Sequence, residues 1–319
     1  MISLSQILDS LSVIQLPMRS KFRGITNREI ALFKGESTWG EFSPFLEYGD
    51  AESAAWLRSG IESASGEEFP VNREWIAING TIPATDSEAE IAALIESYNG
   101  ASVFKVKVGS DLTADLVRLA RVRKFAPKAR LRIDVNGLWS VTEALLNLRT
   151  IYGEVAGEFL EYVEQPVTTL DEMKELKETL NIPVKIAADE LLRKSNNPDL
   201  SNAADILILK VAPLGGITKS LEIAKKYKLP VVVSSALESA VGISQGLRLA
   251  AALPELNYAS GLATGKLFTE DIADLEIKDG QMRVTTPKIE PDRLRELQVP
   301  NERLEWWRER IKRTWEVAQ

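Results

Sequence analysis

The chain has 319 residues, of which 45% are hydrophobic and 27% charged, and its formal net charge is −7. This is the balance of a globular chain with about two structural units; it offers no apolar run long enough for a transmembrane helix, and its acidity argues against nucleic acid as the main partner. Cysteine and histidine are both absent, which excludes disulfides, thiolate nucleophiles, Ser-His-Asp triads and any Cys- or His-held metal.

The N-terminus, Met1 to Gln6, has no basic stretch leading into an apolar one, so no signal peptide is expected and a cytoplasmic location follows. Residues 1–74 read as the first part of an α+β unit. Alternating and aromatic runs from Phe33 to Phe45, with Gly35, Gly40 and Gly49, suggest an antiparallel sheet, and a helix follows near Glu52–Ser63. From Trp75 a new pattern begins: a short β-branched run, a polar residue at its end, then helical spacing. The runs are Trp75–Asn79, Val103–Lys107, Leu131–Asp134, Phe159–Glu164, Val184–Asp189, Ile206–Lys210, Val231–Ser235 and Tyr258–Gly261, and their ends lie 21 to 30 residues apart. That is the length of one strand, one helix and two loops. Helical spacing occupies Ser87–Tyr98, Leu112–Phe125, Val141–Ile151, Leu170–Leu180 and Ile217–Tyr227, and is weakest over Asn196–Asn202. Asp271–Thr286 reads as short strands. Asn301–Val317 reads as an amphipathic helix with Asn301 as N-cap and a packing stripe of Leu304, Trp307, Ile311 and Trp315.

Eight βα units predict a closed barrel over residues 75–268; the two ends, 1–74 and 269–319, form one α+β domain beside it. The alternative is an open, doubly wound sheet. Its strands would be covered on both faces and read as continuous apolar runs, whereas Leu131-Arg132-Ile133-Asp134-Val135-Asn136 alternates and Phe104-Lys105-Val106-Lys107 puts two lysines on one face. No Gly-rich phosphate loop follows the first strand either.

Catalytic groups of a barrel lie at the C-terminal ends of its strands. Here those ends carry Lys107, Asp134, Glu164, Asp189 and Lys210. Three carboxylates cannot share a desolvated site unpaired, because burial and like charge both disfavour ionisation. A divalent cation, two flanking lysines and one anionic substrate carboxylate bring the sum to zero. Charge balance therefore points to a Mg²⁺ site, equally suited to Mn²⁺, that receives a small-molecule carboxylate. The chemistry that fits is removal of a proton next to that carboxylate. The resulting enediolate is stabilised by a metal and a fixed cation, and a lysine serves as base.

These motifs resemble a known family. Phe104-Lys105-Val106-Lys107-Val108-Gly109 is similar to the Lys-x-Lys motif of the muconate-cycloisomerase subgroup of the enolase superfamily. Arg132-Ile133-Asp134-Val135-Asn136, Tyr162-Val163-Glu164-Gln165-Pro166, Ala188-Asp189-Glu190 and Leu209-Lys210 match its remaining strand-end motifs in order and spacing. Within the subgroup, Phe22-Arg23-Gly24-Ile25-Thr26 with Arg28-Glu29, Trp39 to Phe45 with Glu47-Tyr48, and Asn79 to Ala84 resemble the o-succinylbenzoate synthase family, especially its actinobacterial branch.

The resemblance implies a modified TIM barrel of the (β/α)7β type with an α+β capping domain. It implies that Asp134, Glu164 and Asp189 bind Mg²⁺. Lys107 would take the proton α to the ring carboxylate of 2-succinyl-6-hydroxy-2,4-cyclohexadiene-1-carboxylate and then protonate the departing hydroxyl, in menaquinone biosynthesis. Lys210 would stabilise the enediolate from the other side. Lys105 would add positive charge beside Lys107, and Arg132 and Asn136 would hold the site. Ser235, Ser239 and Gly261, at the ends of the last two strands, are candidates for the succinyl tail, and Arg23 and Arg28 for a loop over the pocket. The same lysine pair would also suit an N-succinylamino acid racemase. A dipeptide epimerase would need acidic residues on Ser260-Gly261-Leu262-Ala263, which has none. A non-catalytic metabolite-binding barrel would tolerate loss of either lysine. Gly261 to Leu267 falls short of a phosphate-binding loop, and Pro213-Leu214-Gly215-Gly216 reads as a tight turn whose amides could approach an anion.

Overall fold

The computed structural model describes residues 2–22, 24–194 and 198–319. Arg23 and the first two residues of the Asn196–Asn202 connection lie outside them.

The chain opens with α1 (Leu4–Asp9), closed at its start by a Ser3/Gln6 capping box, and then a meander of β1 (Ser12–Phe22), β2 (Ile25–Lys34) and β3 (Trp39–Phe42). Of the loop expected over Arg23–Arg28, the described part from Ile25 onward belongs to β2, with Ile25 paired to Phe22 of β1. Helix α2 (Asp50–Ser65) lies directly on this sheet. Glycine makes the approach possible, because a Cβ on Gly40 of β3 would sit 2.3 Å from the carbonyl oxygen of Gly60.

The barrel follows. The run expected as the first barrel strand, Trp75–Asn79, holds β4 (Trp75–Ala77), while the first strand of the barrel sheet is β5 (Gly80–Ile82), just beyond it. Then come α3 (Glu88–Ser97), β6 (Val103–Lys107), α4 (Leu112–Phe125), β7 (Arg130–Asp134), α5 (Val141–Ile151), β8 (Leu160–Glu164), α6 (Leu170–Thr179), β9 (Lys185–Ala188), α7 (Glu190–Lys194), β10 (Ile206–Lys210), α8 (Val211–Leu214), α9 (Ile217–Tyr227), β11 (Val231–Ser234) and α10 (Ala240–Ala252). Ser140 and Thr169 start α5 and α6 with capping boxes. Strands β5 to β11 form one parallel sheet in sequence order. The ring is closed through two residues, where Ser260 bridges Ile78 and Gly261 bridges Ser234. The eighth run is thus reduced to single bridges rather than a full strand.

The sequence run at Trp75 misleads because β4 belongs elsewhere. It pairs antiparallel with β13 (Gln281–Arg283), itself paired with β12 (Ile277–Lys278), in a small separate sheet. The chain ends with α11 (Pro291–Glu296) and α12 (Asn301–Ala318). Asn301 is the first helical residue and Pro300 the N-cap, so the expected side-chain cap is absent. The stripe packs as its spacing implies, with Trp307 and Ile311 fully buried and Leu304 and Trp315 packed against the core. Helix α12 lies on α2, so both ends of the chain build the layer beside the barrel. Among the described residues no helix is long and apolar enough to cross a membrane.

One buried side chain ties the two ends of the chain together within the layer beside the barrel. Arg310 of α12 reaches the carbonyls of Phe45 at 3.0 Å and Tyr48 at 2.8 Å and the hydroxyl of Ser53 at 3.0 Å. Replacing it with methionine keeps the packing but orphans buried acceptors. Arg310→Met is expected to cost about 2–4 kcal/mol of unfolding free energy, read as a lower urea midpoint, with Arg310→Lys intermediate.

Candidate active site

Strand register assembles the site. Lys107 of β6 pairs with Asp134 of β7, which pairs with Glu164 of β8. Residues at the same level on alternating faces then point into the lumen together. Asp189 follows β9, and Lys210 ends β10. Five strand-end groups therefore meet as the spacing implied. Lys107 Nζ lies 2.6 Å from Asp134 Oδ2 and 2.7 Å from Asn136 Oδ1. Lys210 donates to Asp189. Lys105, one pleat repeat deeper, lies 2.9 Å and 3.0 Å from the two Glu164 oxygens and 3.2 Å from Asp134.

The charges are strongly coupled. Burial opposes ionisation of Asp134, but Lys107, Lys105 and Lys210 outweigh it and hold the carboxyl well below its usual range. Burial and the neighbouring Asp134 push Glu164 up to about 7 against the pull of Lys105. Burial works against the Lys105 and Lys210 ammoniums too, yet the surrounding carboxylates, Glu164 and Asp134 for the first and Asp189 and Glu164 for the second, raise both.

Glu190, quoted in the sequence motif but given no role there, is part of the site. It is largely buried, accepts from Asn136 Nδ2 at 3.0 Å, and is raised by burial and by Asp189. Its negative charge cancels that of Lys105, and the charge balance read from the other five groups stands. Asp134 Oδ1 and Glu190 Oε2 are buried with no hydrogen-bond partner. An all-oxygen donor set, two orphaned carboxylate oxygens and a Glu164 carboxyl pushed up by burial and by Asp134 fit a hard divalent cation. Among the described residues no three acidic groups converge tightly on one point, because each lysine lies on a carboxylate. Gln165, also unassigned from sequence, sets the position of Asp189: its Oε1 accepts from the amides of Asp189 at 3.1 Å and Leu191 at 3.3 Å.

Above these groups lies a cavity of about 650 Å³, part of it opening to solvent. One wall is aromatic, made by Phe22, Phe45, Tyr48 and Trp56 from the layer beside the barrel. Phe45 meets both Tyr48 and Trp56 edge to face. The ring of Phe22 lies 5.7 Å from Lys107 Nζ. The opposite wall is polar, with Ser234, Ser235, Gly261 and Thr264. Ser235 Oγ donates to the Gly261 carbonyl at 2.9 Å and shares a 2.7 Å hydrogen bond with Thr264.

Four sequence expectations come out differently. Arg132 shares the lumen face with Asp134 but sits one pleat repeat deeper, fully buried. Its guanidinium bonds Glu161 at 2.7 Å, Asn79 at 2.8 Å and the Ala259 carbonyl at 2.7 Å, away from the carboxylate cluster. Ser239 does not line the cavity, since it caps α10 and gives its hydroxyl to Glu41 at 2.6 Å. The amides after Gly216 do meet an anion, but it is Glu62 of α2, bound to the N–H groups of Ile217 and Thr218. Arg28 lies buried in β2 rather than in a mobile loop.

The described fold agrees with what the chain resembles. Residues 13–64 match the family model described as enolase N-terminal domain-like, and residues 88–291 the one described as enolase C-terminal domain-like. The o-succinylbenzoate synthase of Mycobacterium ulcerans is 46% identical over 317 residues, covering 97% of this chain and 94% of its own. That of Mycobacterium tuberculosis is 46% identical over 316 residues with the same coverage. The chain belongs to the o-succinylbenzoate synthase family of the enolase superfamily. Among solved structures, the muconate lactonizing enzyme of Pseudomonas fluorescens complexed with muconolactone has a TM-score of 0.74 at 20% identity, covering 91% of this chain and 98% of its own. The N-succinyl Arg/Lys racemase of Bacillus cereus has a TM-score of 0.74 at 21% identity, covering 91% and 97%. These two likenesses concern the fold, a parallel barrel with a capping domain.

Two buried acids outside the strand-end cluster give this family member a measurable signature. Burial and nearby Glu41 push both Glu238 and Asp271 up to about 7. An acid raised in the folded state adds stability that is complete below its unfolded pKa near 4 and lost as pH rises through 7. The melting temperature of chelator-treated protein is therefore expected to fall between pH 5 and pH 8, with a shallower slope in Glu238→Gln. An unchanged slope in that variant would exclude Glu238 as a source.

Proposed function

We propose that the chain is a hydro-lyase that converts 2-succinyl-6-hydroxy-2,4-cyclohexadiene-1-carboxylate into o-succinylbenzoate, a step of menaquinone biosynthesis. The observation that carries this reading is the pair of lysines at opposite ends of an arc of three carboxylates, under a cavity with an aromatic and a polar wall. Lys107 removes the proton α to the ring carboxylate, and the electron pair moves into that carboxylate. The hydroxyl on the adjacent ring carbon then leaves with the proton that Lys107 returns, so one water departs and the ring becomes aromatic. Lys210 and Lys105 keep positive charge beside the developing enediolate. Asn136 orients the Lys107 ammonium, and the aromatic wall excludes water from the ring face. Asp134, Glu164 and Asp189 would hold Mg²⁺, or Mn²⁺, which supplies the Lewis-acid charge that stabilises the dianion. The reaction belongs in the cytoplasm, with the cap formed by the two ends of the chain over the barrel that begins at β5. Because Lys107 and Lys210 flank the site, racemisation of an N-succinylamino acid is the second reading, assayed with the same protein.

The test incubates purified protein with the cyclohexadiene acid and Mg²⁺, with and without chelator. The aromatic diacid is expected with the metal and not with the chelator. Lys107→Ala and Lys210→Ala are each expected to lower kcat by about 10²- to 10⁴-fold while Mg²⁺ affinity persists. Folded, metal-loaded protein that forms no product would refute the lyase reading.

A further inference from the structure

The polar wall of the cavity continues through Ser235, Ala236 and Leu237, and it is held from outside the barrel. Glu41 of β3 is 6% exposed and sends its carboxylate across to α10. Its Oε2 accepts from Ser239 Oγ at 2.6 Å and from the Gly242 amide at 2.9 Å. Its Oε1 accepts from Ser43 Oγ at 2.6 Å. Ser239 Oγ itself accepts from the Val241 amide at 3.2 Å, so α10 has its own side-chain cap and Glu41 serves the next amide. Glycine is required where the two meet, since a Cβ on Gly242 would fall 2.4 Å from Glu238 Cβ and 3.0 Å from Glu41 Oε2.

Arg28 of β2 is the second tether. It donates from Nε to the Leu237 carbonyl at 3.2 Å and from Nη2 to the Ser43 carbonyl. Leu237 has φ of 66°, a left-handed conformation that costs a leucine free energy and persists only where the surroundings impose it. Glu238 folds back inside the same turn, its Oε2 accepting from the Ala236 amide at 2.6 Å. A strained turn, two tethers from another layer and a glycine that admits them all lie on one stretch of cavity wall.

We propose that Arg28 and Glu41 are positioning residues, a clamp that fixes the Ser235–Leu237 wall and, through it, the succinyl arm of the substrate remote from Lys107. This inference rests on the lyase reading above. The capping layer thereby sets the shape of the arm subsite without touching the substrate from these two side chains. The charged groups at the ring-carboxylate end come from the barrel, with Phe22 of the capping layer beside Lys107.

Glu41→Gln keeps the volume but turns an amide toward donors that expect an acceptor. Ser239→Ala, a milder lesion, removes one of the same bonds and serves if Glu41→Gln does not fold. In the folded variants KM is expected to rise at least tenfold, with the Kd of o-succinylbenzoate weakened by a similar factor in calorimetry. Values of kcat should stay within about threefold, and the Kd of Mg²⁺ should not change. A merely structural role would lower the melting temperature and leave KM and product affinity alone. That result, in a wild type that turns over substrate, would overturn the clamp while sparing the lyase reading. A wild type that neither turns over substrate nor binds o-succinylbenzoate would overturn both.

Discussion

The pairing register of three adjacent strands governs this molecule. Because β6, β7 and β8 align Lys107, Asp134 and Glu164 at one level, an ammonium and two carboxylates enter the lumen side by side. A slip of one residue would turn all three outward among the helices. Once they are inside, the rest follows from electrostatics. The acids need cations, which Lys105 and Lys210 supply, and the lysines need anions to tolerate burial. Neither set is stable in the lumen without the other. The cluster is a structural obligation of the barrel and a reactive centre at the same time.

The layer beside the barrel answers a different need. A barrel mouth full of charge has no apolar surface with which to grip an uncharged ring. The aromatic side chains arrive instead on β1, on the segment between β3 and α2 and on α2 itself, with Arg310 reaching across from α12 to hold that segment. Chemistry and substrate shape are therefore built by different parts of the chain. The strand ends can remain as they are while the covering layer changes what fits above them.

What was legible in the sequence followed from period and spacing. Alternation in Leu131–Asn136 exposed the lumen face of β7, and the regular distance between strand ends revealed the barrel. The failures have physical reasons of the same kind. Arg132 has the right parity but the wrong depth, and parity says nothing about depth. Ser239 looked like a strand-end hydroxyl because a helix cap and a ligand donor have the same sequence appearance. Glu190 was visible beside Asp189, but nothing local says that a residue beginning a five-residue helix turns inward. The run at Trp75 satisfied the strand pattern because it is a strand, paired with β13 more than two hundred residues later. Long-range partners leave no local trace.

The two ends of the chain meet on one surface: Glu29 in β2 binds both Arg303 and the indole of Trp307 in α12, and α12 covers α2. During synthesis the N-terminal meander leaves the ribosome first and must wait for nearly every other residue before its partner helix exists. Helix α2 covers the sheet early, but the face that α12 takes on α2 and beside Glu29 stays open throughout that interval, exposed to wrong association. Shortening the chain by its last helix would strand that face permanently, far from any reacting atom.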